Sequence, residues 1–163
     1  MLPIKKIVCP TDFSEPSFEA VKVANELAVH FGSFLCLLHV VSLTPILASP
    51  MVPTAFDISS YQKALEDDAR EKLQKVREDL ISKDLHTCRP MVVSGFAPDE
   101  IIRITQAEQA DLIVIATHGL TGWRHLVYGS VAERVVQLAP CPVLAIRPPS
   151  PHFVTRRRKA GGK

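Results

Sequence analysis

The chain has 163 residues, is 47% hydrophobic and carries a formal net charge of +2, which suits one domain with a real core and excludes wholesale disorder. Its apolar runs are short, such as Leu112 to Ala116, far below the roughly 20 residues a membrane helix needs, so no membrane association is expected. The positive balance belongs to the end of the chain, where Arg156, Arg157, Arg158, Lys159 and Lys163 stand with no acid among them.

The N-terminal segment enters a strand-like run, Ile4–Cys9, with no charged stretch leading into an apolar one. No signal peptide is expected, and the expected compartment is the cytoplasm. Cys9, Cys36, Cys88 and Cys141 are widely spaced, without a Cys-x-x-Cys pair, and read as reduced thiols acting as small hydrophobes. Phe18, Val21, Ala24, Leu27 and Phe31 recur at helical spacing, and Gly32 closes that run. A second strand is expected over Phe34–Val41. Residues 42–56 hold three prolines and no periodicity and read as a flexible flap. Helical spacing returns from Ile58 to Leu80, followed by a strand at Met91–Val93. A third helix begins at Pro98, with Ile101 and Thr105 inward. Leu112–Ala116 is the fourth strand. The fourth helix starts at Ser130, with Val131, Val135 and Leu138 on one face and Ser130 and Glu133 at capping-box spacing. Val143–Ile146 is the last strand, and the chain from about Pro148 onward reads as an extended tail.

Strands and helices alternate, and several strands are apolar at consecutive positions. The pattern predicts an α/β fold, an open parallel sheet with helices on both faces. One domain is expected over residues 1–148, with a basic, disordered tail at 149–163. Such sheets bind ligands outside the carboxyl ends of their strands. The candidates there are Pro10, Thr11 and Asp12 after the first strand, Val40 near the end of the second, Ala116, Thr117, His118 and Gly119 at the fourth, and Gly129, Ser130 and Val131 where the last helix opens. A helix N-terminus presents free N–H groups and a positive dipole end, which suits phosphate. Gly129 would let the backbone approach closely, and the Ser130 hydroxyl could donate. Each residue also has a plain structural reading. Ser130 fits an N-cap, Asp12 fits a cap of the first helix, and the glycines fit turns.

Pro10-Thr11-Asp12-Phe13-Ser14, Leu38-His39-Val40, Thr117-His118-Gly119, Gly129-Ser130-Val131-Ala132-Glu133-Arg134 and Cys141-Pro142-Val143-Leu144, in this order, together resemble the universal stress protein family over roughly residues 3–148. The resemblance implies a Rossmann-like five-stranded sheet of order 3-2-1-4-5. It also implies an adenine nucleotide as ligand, ATP with Mg, with Asp12 on the ribose, the Val40 backbone on the adenine, and Gly119, Gly129, Ser130 and Val131 around the phosphates. The family's ATP-binding branch resembles a pattern Gly-x-x-Gly, nine residues, then Gly-Ser or Gly-Thr. Gly119, Gly129 and Ser130 match it, and Ala116 stands where its first glycine would be. By the same resemblance a homodimer is expected through the last strand, at Val143, Leu144 and Ile146.

No P-loop, nucleophile elbow or base-activated nucleophile is present, so no catalytic residue is assigned; slow ATP hydrolysis is left open without one. The six histidines do not cluster, and no metal site is expected. The Arg156–Lys159 run reads as a solvated tail, and no nucleic-acid partner is expected. Two functions follow: an ATP-binding regulatory protein of the stress response, or a dimeric stress-response interaction protein that binds no nucleotide.

Overall fold

The computed structural model describes residues 3–42, 57–85, 87–117 and 129–147. The expected flap beyond Ser42, the basic tail, His118 and Gly119 lie outside the described residues. The elements run β1 (Lys6–Pro10), α1 (Glu15–Phe31), β2 (Phe34–Val41), α2 (Ile58–Leu80), β3 (Cys88–Ser94), α3 (Ala97–Ala107), β4 (Leu112–Ala116), α4 (Ser130–Leu138) and β5 (Val143–Ile146).

All five strands pair in parallel in the order β3-β2-β1-β4-β5, the order the resemblance implies. Strand alternation divides the core into two layers. Ile7, Cys9, Leu35, Leu37, Leu112 and Val114 face α1 and α2, meeting Ala20, Val21, Ala24, Leu73 and Val76. Val8, Cys36, Leu38, Ile113 and Ile115 face α3 and α4, meeting Ile101, Ile104, Ala132 and Val135. Ile7, Leu35 and Leu37 are fully buried, each contributing about 1.5–3 kcal/mol relative to exposure.

The helix ends have local causes. Ser14 caps α1 by accepting from the Ser17 N–H at 3.3 Å, and Gly32 closes it at φ 64°, where a residue with a Cβ is strained. Asp57 caps α2 by accepting from the amides of Ser59 and Ser60 at 3.1 and 3.2 Å.

Four expectations need correction. Asp12 is not the cap of α1, because Ser14 holds that position. Ser130 is not the cap of α4. Gly129 is, at φ −68° and ψ 148°, its carbonyl accepting from the Glu133 N–H at 3.0 Å. Ser130 is therefore the first helical residue, and the expected capping box cannot close. Leu138 lies 48% exposed while Ala132 is buried, so the inward stripe of α4 is Ala132 and Val135. β3 is longer than Met91–Val93 because Pro90 continues the strand opposite Leu37. An edge strand tolerates a missing N–H on its solvent side.

Candidate functional site

The strand order reverses between β1 and β4, which lie side by side with Ile7 opposite Leu112 and Val8 opposite Ile113. Their helices leave on opposite faces, so a crevice opens beyond their carboxyl ends. Pro10 ends β1, with Thr11 and Asp12 following it, and Ala116 ends β4, with Thr117 following it. The Thr117 N–H donates to the Ile146 carbonyl at 2.9 Å, holding the end of β4 against β5. The Thr117 carbonyl accepts from the Gly129 N–H at 2.6 Å. This bond seats the start of α4 on the end of β4, although eleven residues separate the two in sequence.

One donor of the proposed phosphate cradle is therefore engaged within the protein. The N–H groups of Ser130 and Val131, in the first turn of α4, have no intrahelical acceptor. Ser130 is exposed and Val131 half-buried. The φ of Gly129 is one that any residue adopts. Ala116 is buried in the core layer under α1.

Val40 sits on β2 where β1 has already ended. The Leu38 carbonyl faces β1 and accepts from the Thr11 N–H at 2.8 Å. Two residues on, the Val40 peptide faces the same side, past the point where β1 turns away. The neighbouring Val41 carbonyl faces the other way and accepts from Gly95 at 3.0 Å.

The turn carrying Asp12 is internally wired. Asp12 Oδ1 accepts from the Ser14 N–H at 3.1 Å and from the Ser14 hydroxyl. Thr11 Oγ1 accepts from the Phe13 N–H at 3.1 Å and lies 2.8 Å from Ser17 Oγ. Ser17 gives its only hydroxyl hydrogen to the Ser14 carbonyl, so Thr11 is the donor of the Thr11–Ser17 bond. Phe13 occupies the left-handed region at φ 64°, and its ring stacks on His39 with centroids 4.3 Å apart at 27°.

His39 also reaches the turn through Nδ1, 2.8 Å from the Thr11 carbonyl. A carbonyl only accepts, so Nδ1 carries the proton. Burial lowers the pKa of His39, and the Thr11 bond opposes that shift in part. Burial pushes the Cys36 thiol up to about 11 and Cys9 higher still, so neither is a thiolate at neutral pH. Sequence reading missed the roles of Phe13, Ser17 and His39. A histidine near the end of a strand, level with the site turn, was the available signal. Among the described residues, no group of three His, Cys, Asp or Glu side chains could hold a metal ion.

The model of the universal stress protein family matches residues 3–147. The chain belongs to the universal stress protein family. It is 37% identical to the universal stress protein MJ0531 of Methanocaldococcus jannaschii over 89% of this chain and 83% of that protein. The solved structure of MJ0577 from the same organism superposes with a TM-score of 0.76 at 26% identity, covering 90% of this chain and 98% of the other. A universal stress protein solved in complex with cAMP shares the fold with a TM-score of 0.61 at 19% identity, covering 88% of this chain and 97% of its own. Among the described residues, no helix is long and apolar enough to cross a membrane.

Proposed function

We propose that this protein binds an adenine nucleotide, ATP with Mg, in the crevice beyond β1 and β4, and that it serves as a nucleotide-responsive regulatory protein of the stress response. The observation that carries this reading is the Gly129-to-Thr117 bond, which sets the N-terminus of a nine-residue helix at the switch point of the sheet, where phosphate is favoured. The direction of the Val40 peptide supports the adenine contact, and the family member solved with cAMP supports the ligand class. In this reading Ser130 and Val131 donate to phosphate from α4, and Gly119 and His118, which lie outside the described residues, come to the same site by the family resemblance. Pro10, Thr11 and Asp12 form the sugar side, with Ala116 and Thr117 the floor. The work is recognition, and no residue is assigned a catalytic role. The domain is proposed to span residues 1–148, with 149–163 a basic tail.

Ala116 favours a second reading, a dimeric interaction protein that takes no nucleotide. Its methyl group stands where the family's ATP motif has hydrogen, and it could crowd a sugar or phosphate. In both readings two copies pair through β5, at Val143, Leu144 and Ile146. β5 is an edge of the described sheet, and Leu144 is 38% exposed, which leaves an apolar edge open to a partner strand.

Calorimetric titration of nucleotide-free protein with Mg-ATP separates the two. Saturable binding at micromolar to sub-millimolar concentration supports the first reading. No heat supports the second and makes Ala116→Gly the next variant to titrate.

A further inference from the structure

The geometry points to His39 as a positioning residue of the site: from β2 it sets the conformation of the Pro10–Ser14 turn, and through that turn the place of Asp12. The inference rests on the nucleotide-binding reading for its consequence, while its structural half stands apart from it.

Two contacts converge on His39. Its Nδ1 donates to the Thr11 carbonyl at 2.8 Å. Its ring supports the face of Phe13, a residue held at φ 64°. A bulky side chain at positive φ is costly and persists only where the surroundings determine it. The strand's own backbone adds a third tie, the Thr11 N–H donating to the Leu38 carbonyl. Thr11 is thus held at its amide by β2 backbone and at its carbonyl by the His39 side chain, and the next residue is Asp12. On the far side of Asp12, its carboxylate holds Ser14, and Ser14 caps α1. Loss of the imidazole would remove one hold on the Thr11 carbonyl and one on the Phe13 ring, which otherwise packs against the core, and Asp12 lies between them. Asp12 is the residue assigned to the ribose, so His39 would act on affinity without touching the ligand.

Two variants divide the imidazole's contributions. His39→Phe keeps a flat ring against Phe13 and removes the donor. His39→Asn places an amide N–H near the position of Nδ1 and removes the ring. The first readout is hydrogen–deuterium exchange of the Thr11, Phe13, Ser14 and Ser17 amides in the full chain without nucleotide. The second is calorimetric affinity for Mg-ATP. Loss of one buried hydrogen bond predicts exchange about tenfold faster in the turn of His39→Phe, and affinity about tenfold weaker. His39→Asn should recover much of both. Ile101→Val, a core change on the opposite face of the sheet, should leave turn exchange and affinity as in the parent. Turn exchange and affinity of His39→Phe equal to the parent's would overturn the inference, as would equal losses in Ile101→Val.

If the parent takes up no Mg-ATP, the nucleotide reading fails and exchange alone decides on His39. Faster turn exchange in His39→Phe then upholds the positioning role, and unchanged exchange overturns it. If His39→Phe does not fold, His39→Gln replaces it. Its amide reaches toward the place of Nε2, so its turn should exchange faster and its affinity be weaker than in His39→Asn, and values equal to those of His39→Asn would overturn the role of the Nδ1 bond.

Discussion

The ring of Phe13 stacks on the imidazole of His39 at 4.3 Å, joining a strained turn residue to a strand residue twenty-six positions away. The stack offsets part of the cost of holding a phenylalanine at positive φ. The two contributions can be separated. Phe13→Ala loses the ring and keeps the strained Cβ, whereas Phe13→Gly loses the ring and relieves the strain. The glycine variant should be the more stable by about 1–2 kcal/mol in urea unfolding. Equal stabilities would mean that strain at position 13 is negligible.

His39 also predicts a pH dependence. Its folded pKa lies below the ordinary 6.5 because burial disfavours the charged ring. Thr11 and Asp12 oppose the shift, as does Asp68, while Lys72 adds to it. The unfolded chain then binds the proton more readily than the folded one. The stability contributed by the neutral ring is fully present above pH 6.5 and is lost as pH falls through the lowered folded value. Urea midpoints from about pH 7.5 down to 5.5 should fall more steeply for the parent than for His39→Phe. Parallel profiles would assign the slope to other groups.

At the proposed phosphate cradle, Ser130→Ala removes a donor from the first turn of α4 and leaves the cap, Gly129, in place. Mg-ATP binding should weaken by about 1–3 kcal/mol, the range for a hydrogen bond to a charged acceptor. The thermal transition should hardly move. Affinity equal to the parent's would take Ser130 out of the site. Gly129→Val probes close approach without backbone strain, because its φ of −68° suits valine. That variant should fold and fail to bind.

Pairing through β5 predicts that Leu144→Lys yields a monomer by light scattering, since charge on an open apolar edge blocks strand pairing. A dimer of unchanged mass would place the interface elsewhere.

Gly95 follows β3 at φ 155°, and a Cβ there would meet Glu100 Cγ at 2.7 Å. The Glu100 side chain can move, but the backbone conformation cannot be kept without strain. Gly95→Ala should lower stability by about 1–3 kcal/mol in denaturant unfolding. A loss of only a few tenths would show that the segment relaxes to an ordinary φ.

The sequence by itself determined the order of elements, the faces of all of them but α4, and the parallel sheet. β2, α2, β4 and β5 begin and end where the apolar periodicity does, because strands buried on both faces and amphipathic helices leave local signals in residue spacing. Its motifs also marked the end of β1 and the start of α4 as the places where chemistry could sit. Tertiary structure decided what no spacing encodes. Ser130 and Gly129 are adjacent and both are good caps, and the choice between them followed from where the chain crosses to meet Thr117. Leu138 has the right period to be buried, yet among the described residues no element covers it, whereas the smaller Ala132 lies against the sheet. The hold of His39 on Thr11 and Phe13 joins residues distant in sequence through distances and a positive φ, which arise only once β1 and β2 have paired.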